Sequence, residues 1–273
     1  MKIAVIILTY NNLTNKFGSL ESLLISLSIQ NAKIDEIVVV DNASNDVNVK
    51  WLKRLEKRYS YVNFIYLDNN NIAHGRNVGI KNTTSENIIF MDDDTILFKN
   101  NTLFEMKTYI SEGVYGYAAN RLWTKENWYE SNQKIFNQKI KALKLDFLYF
   151  ITSKPEPSFR NKKNSRHLLK TYIGNFGFIK REAIEYIGGW NENFVGYGAE
   201  DDLMAIDLFF NFGRPVLLNR IDIIHIYHKL CEENYIELDK NRKILDDILK
   251  NRGIKEFHVG KLMYNEKDIY ESL

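Results

Sequence analysis

Apolar residues gather at first in short runs that stop abruptly at polar turns. Residues 2–8 read as a strand opening onto Thr9-Tyr10-Asn11-Asn12, and residues 17–28 carry apolar side chains at helical spacing. The pattern then repeats. Ile37-Val38-Val39-Val40 runs into Asp41-Asn42-Ala43-Ser44, and residues 49–59 set Trp51, Leu52 and Leu55 on one helical side. Phe64-Ile65-Tyr66-Leu67 predicts a third strand, residues 69–75 a loop and 76–81 a short helix. Ile88-Ile89-Phe90-Met91, short and bounded by polar residues, predicts a strand buried on both faces of a parallel sheet. It delivers three consecutive carboxylates, Asp92-Asp93-Asp94, to the sheet edge. Such alternation predicts an α/β fold with a mostly parallel sheet and right-handed crossovers.

Beyond this point residues 100–112 read as a helix and 114–123 as a strand, and then regularity fades. Residues 124–170 read as an insertion: an apolar stretch, 141–151, assigned to core, and a solvated basic run from Arg160 to Arg166. Residues 171–179 predict a strand, and 180–187 a helix that ends at Gly188-Gly189. A second acidic cluster, Glu200-Asp201-Asp202, starts a helix over 203–212 that closes at Gly213. One or two final strands over 216–226 lead into His225-Ile226-Tyr227-His228.

Composition narrows the class. The 273 residues are 45% hydrophobic, enough for one large α/β domain or two small ones, and 37 basic against 35 acidic side chains give no reason to expect nucleic acid as a partner. The single cysteine, Cys231, cannot form an internal disulfide, which suits a reducing compartment. The N-terminal apolar run is too short for a signal peptide or a membrane span.

The chemistry concentrates at the two acidic clusters. Three acids at one strand end repel one another and cost stability unless a cation or a donor-rich ligand neutralises them. In an open α/β sheet the first and fourth strands lie side by side at the switch point, so Thr9–Asn12 and Asp92–Asp94 should line one crevice with Asp41 nearby. A nucleoside diphosphate with a divalent cation satisfies both the polar turns and the carboxylates. In the second cluster, helix capping accounts for one or two carboxylates, and the dipole is expected to lower their pKa values. It does not account for Gly196-Tyr197-Gly198, or for Trp190 and Tyr197 in one turn that reads as exposed; a flat apolar face beside carboxylates suits a sugar. His225 and His228 become ligand candidates only if an acidic cluster lies beside them.

These residues resemble the family 2 glycosyltransferases of the GT-A fold. The resemblance runs through Ile3–Asn11, Val38–Ser44, the Asn71–Gly79 pattern, and Phe90–Asp94, and Gly188–Asp202 resembles the acceptor-side motif of galactosyltransferase-type C-terminal regions. It implies a Rossmann-like, mostly parallel sheet with flanking helices and a C-terminal helical tail. Residues 1–230 would form the transferase domain, split into a nucleotide-binding half (1–123) and an acceptor half (124–230) that carries the 124–170 insertion, and 231–273 a helical extension.

The resemblance also implies roles. Thr9, Tyr10, Asn11 and Asp41 would surround the base, and Arg76 and Asn77 would help hold the nucleoside. Asp92 and Asp94 match the Asp-x-Asp motif, with Asp94 on a Mn2+ or Mg2+ ion, Asp92 nearer the ribose and Asp93 the middle residue of this donor-binding stretch. His225 would complete the metal site and His228 face the diphosphate. Asp201 would be the base and Glu200 the sugar or acceptor contact, with Trp190, Tyr197, Gly198 and Asp202 around the acceptor. Ala199 stands where relatives often have glycine. The implied activity is inverting transfer from a UDP-sugar to a glycan or lipid-linked acceptor in bacterial surface polysaccharide synthesis. It would take place in the cytoplasm, with peripheral association at the inner membrane face where the acceptor is lipid-linked. The rival reading is a non-catalytic sugar-nucleotide or glycan-binding subunit on the same fold. A sugar nucleotidyltransferase is disfavoured, because no glycine-rich triphosphate loop follows the first strand.

Overall fold

The computed structural model describes residues 1–125, 128–142, 151–152, 173–228 and 232–254. The first half alternates as its apolar runs require: β1 (Ile3–Thr9), α1 (Asn12–Asn15), α2 (Ser19–Ser28), β2 (Glu36–Asp41), α3 (Asp46–Arg58), β3 (Asn63–Tyr66), α4 (Ile72–Lys81) and β4 (Asn87–Asp92). It continues through β5 (Thr95–Ile96), α5 (Thr102–Glu112), β6 (Tyr115–Thr124), α6 (Trp128–Ala142) and β7 (Ile151–Thr152). The last part holds α7 (Ile173–Phe176), β8 (Gly177–Lys180), α8 (Arg181–Ile187), α9 (Glu200–Phe212), β9 (Val216–His225) and α10 (Glu232–Asn251).

Among the described residues the strands form one sheet in the order β3-β2-β1-β4-β8-β6-β9-β5, with β7 on the side of β6. The pairs β3–β2, β2–β1 and β1–β4 are all parallel, and β1 sits at the switch point with β2 on one side and β4 on the other. The second half is mixed: β8 runs antiparallel to β4 and β6, while β9 is parallel to β6. Side chains of β1 alternate between layers, Ile3, Val5 and Ile7 joining the core under α2 and α3, and Ile6 the core with Ala73 and Ile80 of α4. A third apolar cluster joins Leu203 and Ile206 of α9 to Leu245 and Leu249 of α10. No helix among the described residues is long and apolar enough to cross a membrane.

Three sequence expectations need correction. Residues 72–75 are helix rather than loop: Asn71 caps α4 by accepting from the His74 amide, and Gly75 and Gly79 lie in the helix because Leu8 and Ile6 press against them. An added Cβ at either glycine would come within 2.5 Å of those side chains. Their low helix propensity hid a packing requirement. Residues 173–176 are a helical turn rather than strand, with Gly174 packed against the Arg76 guanidinium and the Asn175 carbonyl accepting from Thr95 Oγ1. Residues 128–142, placed in an irregular insertion, form a helix whose Tyr129 and Phe136 are buried against α2. The last strand prediction resolves as a single strand, β9. The expected core stretch 143–150, the basic run 160–166, Cys231 and the tail beyond 254 lie outside the described residues.

Candidate functional site

The short strand β5 explains how two histidines reach the first acidic cluster. Thr95 and Ile96 follow Asp94 directly and pair antiparallel with Ile224 and His225, and the Ile226 amide donates to the Asp94 carbonyl at 2.9 Å. The end of β9 is therefore stitched to the end of β4. His225 Nε2 lies 3.4 Å from Asp94 Oδ1, and His228 Nε2 lies 2.9 Å from Asp94 Oδ2. One ligand atom from each of the three side chains falls within 4.8 Å of the others, spacing that fits a metal ion. His225 Nδ1 faces the Ile226 carbonyl at 3.1 Å, which fixes the ring with Nε2 toward Asp94. Trp123 packs on the His225 ring, with centroids 4.3 Å apart. Burial would push the Asp94 carboxyl up, but His225, Lys16 and His228 hold it well below the ordinary carboxylate range.

Its neighbours do other work. Asp93 is 1% exposed, and it accepts from Thr9 Oγ1 at 2.6 Å and from Lys16 Nζ at 2.7 Å. It is spent on protein partners rather than turned toward a ligand, which corrects its assignment to donor binding. Asp92 is only half-buried and accepts from Asn175 Nδ2 at 2.9 Å. Of the expected base pocket, Asp41 is buried and its carboxyl is pushed up by burial, while Tyr10 at the crevice mouth is 41% exposed. Asn11 sits in the left-handed region (φ 47°), its amide donating to Ser44 Oγ and its side chain accepting from the Asn45 amide. The turns after β1 and β2 are thus bonded into one wall.

The second cluster is organised by a residue placed elsewhere by sequence. Arg76, expected at the nucleoside, is buried and directs Nη1 to Glu200 Oε1 at 2.9 Å and Asp201 Oδ1 at 2.8 Å. Its guanidinium lies 4.3 Å from the centre of the Trp190 ring. Trp190, expected as an exposed sugar platform, is 2% exposed and packs edge-on against Phe90. Asn77 is spent holding that turn: its amide bonds the Trp190 carbonyl and amide, both at 2.9 Å, and the Glu192 carboxylate. Arg76 and Asn77, both expected at the nucleoside, are thus bonded to the turn at residues 190–192 and the start of α9.

Ala199 precedes α9 at φ 70°, a left-handed value that glycine takes without strain. Gly198 (φ 90°) lets Leu238 approach, and Glu237 of α10 accepts from the Tyr197 amide at 2.9 Å. Glu200 Oε2 is buried with no hydrogen-bond partner among the described residues. The expected lowering of Asp201 by the helix dipole is reversed. Burial and the charges of Glu200, Asp92 and Asp202 push it up to about 8 in spite of Arg76, and burial and Glu200 push Asp202 up to about 7. Gly174 touches Arg76 and the next residue, Asn175, holds Asp92, so one helical turn joins the two acidic clusters, and the Asp92 charge reaches Asp201.

Lys16, Asn175 and the Arg76 bridge were missed in the sequence. A positively charged residue beside Phe17-Gly18, where the helical spacing breaks, was the available signal for the first.

Comparison with known proteins places this architecture. The model of "Glycosyl transferase family 2" matches residues 4–188. The Bacillus subtilis (strain 168) protein described as "Uncharacterized glycosyltransferase YfnE" is 25% identical over 285 residues, which span 92% of this chain and 69% of that protein. Among solved structures, S. aureus TarS 1–349 in complex with UDP superposes with a TM-score of 0.57 at 19% identity, covering 91% of this chain and 66% of the other. Mannosyltransferase PcManGT from Pyrobaculum calidifontis, in complex with GDP-Man and Mn2+, does so with a TM-score of 0.56 at 16% identity, covering 96% and 66%. The chain thus spans about two thirds of each of these proteins.

Proposed function

The chain belongs to the family 2 glycosyltransferases and has the GT-A fold, and from that premise we propose that it transfers a sugar from a UDP-sugar to a glycan or lipid-linked acceptor with metal assistance and inversion. The observation that carries the reading is the cluster of Asp94, His225 and His228, joined through Asp92, Asn175 and Gly174 to the Arg76-bound Glu200–Asp201 pair. A carboxylate and two imidazoles suit Mn2+ or Mg2+ together with phosphate oxygens. The neighbouring mannosyltransferase holds Mn2+ with its nucleotide-sugar, and TarS holds UDP. When bound, such an ion neutralises the charge that builds on a departing diphosphate.

This chain's own residues supply the rest. The wall made by Thr9–Asn11 and Asp41–Ser44 receives the base, and Asp92, half-buried at the strand end, faces the ribose. Arg76 fixes the orientation of both acids of the pair, and the orphaned Oε2 of Glu200 accepts from a sugar or acceptor hydroxyl. Asp201 takes the proton of the attacking acceptor hydroxyl. That oxygen bonds to the anomeric carbon as the bond to the diphosphate breaks, and one displacement inverts the configuration. No carboxylate is needed on the opposite face of the sugar.

The test is to supply purified protein with a panel of UDP-sugars and follow UDP release with Mn2+ and with EDTA. Release from one or two donors that depends on Mn2+ is expected. Equal release in chelator, or none from any donor in Mn2+, would overturn the reading.

A further inference from the structure

Lys16 brings an ammonium into the metal corner itself. Nζ lies 2.7 Å from Asp93 Oδ1 and 3.1 Å from Asp94 Oδ2, with 22% of the side chain exposed. Set between two carboxylates, the ammonium carries its ordinary positive charge.

The backbone is shaped to put it there. Helix α1 stops at Asn15, and Phe17 (φ 55°) and Gly18 (φ 72°) both take left-handed conformations before α2 begins. For phenylalanine that conformation is costly and persists only where surroundings enforce it. The enforcement is visible. The Asn12 side chain accepts from the Leu20 amide and donates to Ser19 Oγ, and Ser19 Oγ donates in turn to the Asp93 carbonyl. The helix break is thereby bonded to the acidic triplet that Lys16 contacts.

Asp94 Oδ2 is thus shared: Lys16 Nζ stands 3.1 Å from it and His228 Nε2 2.9 Å. A divalent cation that takes Asp94 and the two histidines meets a fixed positive charge beside the same carboxylate. Two cations at that separation repel strongly in a buried site. A diphosphate, with its several negative charges, lets both remain.

Resting on the metal reading above, we propose that Lys16 makes metal binding conditional on the donor's diphosphate. Without nucleotide, Lys16 occupies the cation's place and opposes a free ion. With nucleotide, it keeps Asp93, yields Asp94 Oδ2 to the ion, and turns its charge to a phosphate oxygen. Metal and nucleotide then bind with positive coupling, and by reciprocity each tightens the other equally.

Calorimetry tests this with Mn2+ alone, and with UDP in the absence and presence of Mn2+. In the wild type, Mn2+ alone should bind weakly and should tighten UDP. Lys16→Met should bind Mn2+ alone on the order of tenfold more tightly and lose most of the tightening of UDP. Because that variant leaves buried Asp93 without its cation, Lys16→Met combined with Asp93→Asn should give the same result in a stable fold. Lys16→Arg should behave as the wild type. The proposal is overturned if neither methionine variant binds Mn2+ more tightly, or if Lys16→Arg binds it as tightly as Lys16→Met. A wild type that binds no Mn2+ even with UDP overturns the metal reading itself and this inference with it, whereas Mn2+ binding with unchanged affinity in the variants sinks only the role of Lys16.

Discussion

The chain carries two triplets of consecutive carboxylates, Asp92-Asp93-Asp94 and Glu200-Asp201-Asp202, and the structure treats them in opposite ways. Both stand at the end of a regular element, one after a buried strand and one at the start of a helix. The first is met by imidazoles and an ammonium, which hold Asp94 well below the ordinary carboxylate range. The second shares one guanidinium between Glu200 and Asp201, so burial and mutual repulsion win and Asp201 rises to about 8. A carboxylate held firmly ionised is suited to gripping a cation. One poised near neutrality is suited to taking a proton. The difference lies in the partners, which the local sequence does not display.

The largest expected effect comes from breaking the first triplet. Asp94→Ala removes the carboxylate that both histidines face, and metal assistance is worth several kcal/mol of transition-state stabilisation, so kcat/KM should fall by roughly four orders of magnitude. EDTA on the wild type should reproduce the loss and Mn2+ reverse it, measured as UDP release. The variant should also show no calorimetric Mn2+ binding in the presence of UDP. Retained activity in chelator would dissolve the contrast between the triplets.

A somewhat smaller loss should follow from the second triplet. Removing a positioned general base costs roughly a hundredfold to ten-thousandfold, so Asp201→Asn should lower kcat within that range and leave UDP affinity near the wild-type value. Glu200→Gln keeps the shape but changes the group whose Oε2 is orphaned, and should raise the acceptor KM more than it lowers kcat. If Asp201→Asn kept near wild-type kcat with the true acceptor, Asp202 would be the next candidate.

What the sequence displayed and what it hid follow the same division. The runs 3–8, 37–40 and 88–91 are contiguous, apolar and bounded, so strands buried on both faces could be read from them directly, and with them the β1–β4 switch point. Asp94 and the histidines were legible as types, but their meeting depends on β5, two residues long, pairing with β9. The Arg76–Asp201 contact spans 125 positions in the chain and leaves no local pattern. Trp190 looked exposed because its neighbours are polar, yet cation–π stacking on Arg76 and an edge contact with Phe90 bury it. The sign of the Asp201 shift was misread for a related reason: the helix dipole is visible in sequence, whereas burial beside three other carboxylates is not.

That sign sharpens into a pH profile. A base must be deprotonated to accept, so with Asp201 titrating at about 8 the kcat of the wild type should climb about tenfold per pH unit below that value and level off above it. Asp202→Asn removes one of the charges that raise Asp201, and should move the rising limb to lower pH without abolishing it. A limb near the ordinary carboxylate range would mean that Arg76 dominates and that the two triplets are electrostatically alike.

The smallest expected effect concerns Asp41, a single carboxylate that belongs to neither triplet. It is 2% exposed at the end of β2, contacted by the Ser44 amide at 3.3 Å, and burial pushes its pKa up. Uracil presents an imide N–H that an ionised carboxylate accepts; cytosine presents a bare ring nitrogen there, which an ionised carboxylate repels. UDP should therefore bind more tightly than CDP, by about the tenfold that one misplaced hydrogen bond costs. Protonation weakens the discrimination, since a carboxylic acid can donate to the cytosine nitrogen through its O–H and still accept from the uracil imide through its carbonyl oxygen. Because burial raises the pKa of Asp41, the preference should be widest at neutral and alkaline pH and narrow as the pH falls, beginning above the range where an exposed aspartate titrates. Asp41→Asn, whose amide can turn to offer either a donor or an acceptor, should flatten the dependence. Equal affinities for UDP and CDP at every pH, measured by calorimetry in Mn2+, would remove Asp41 from base recognition.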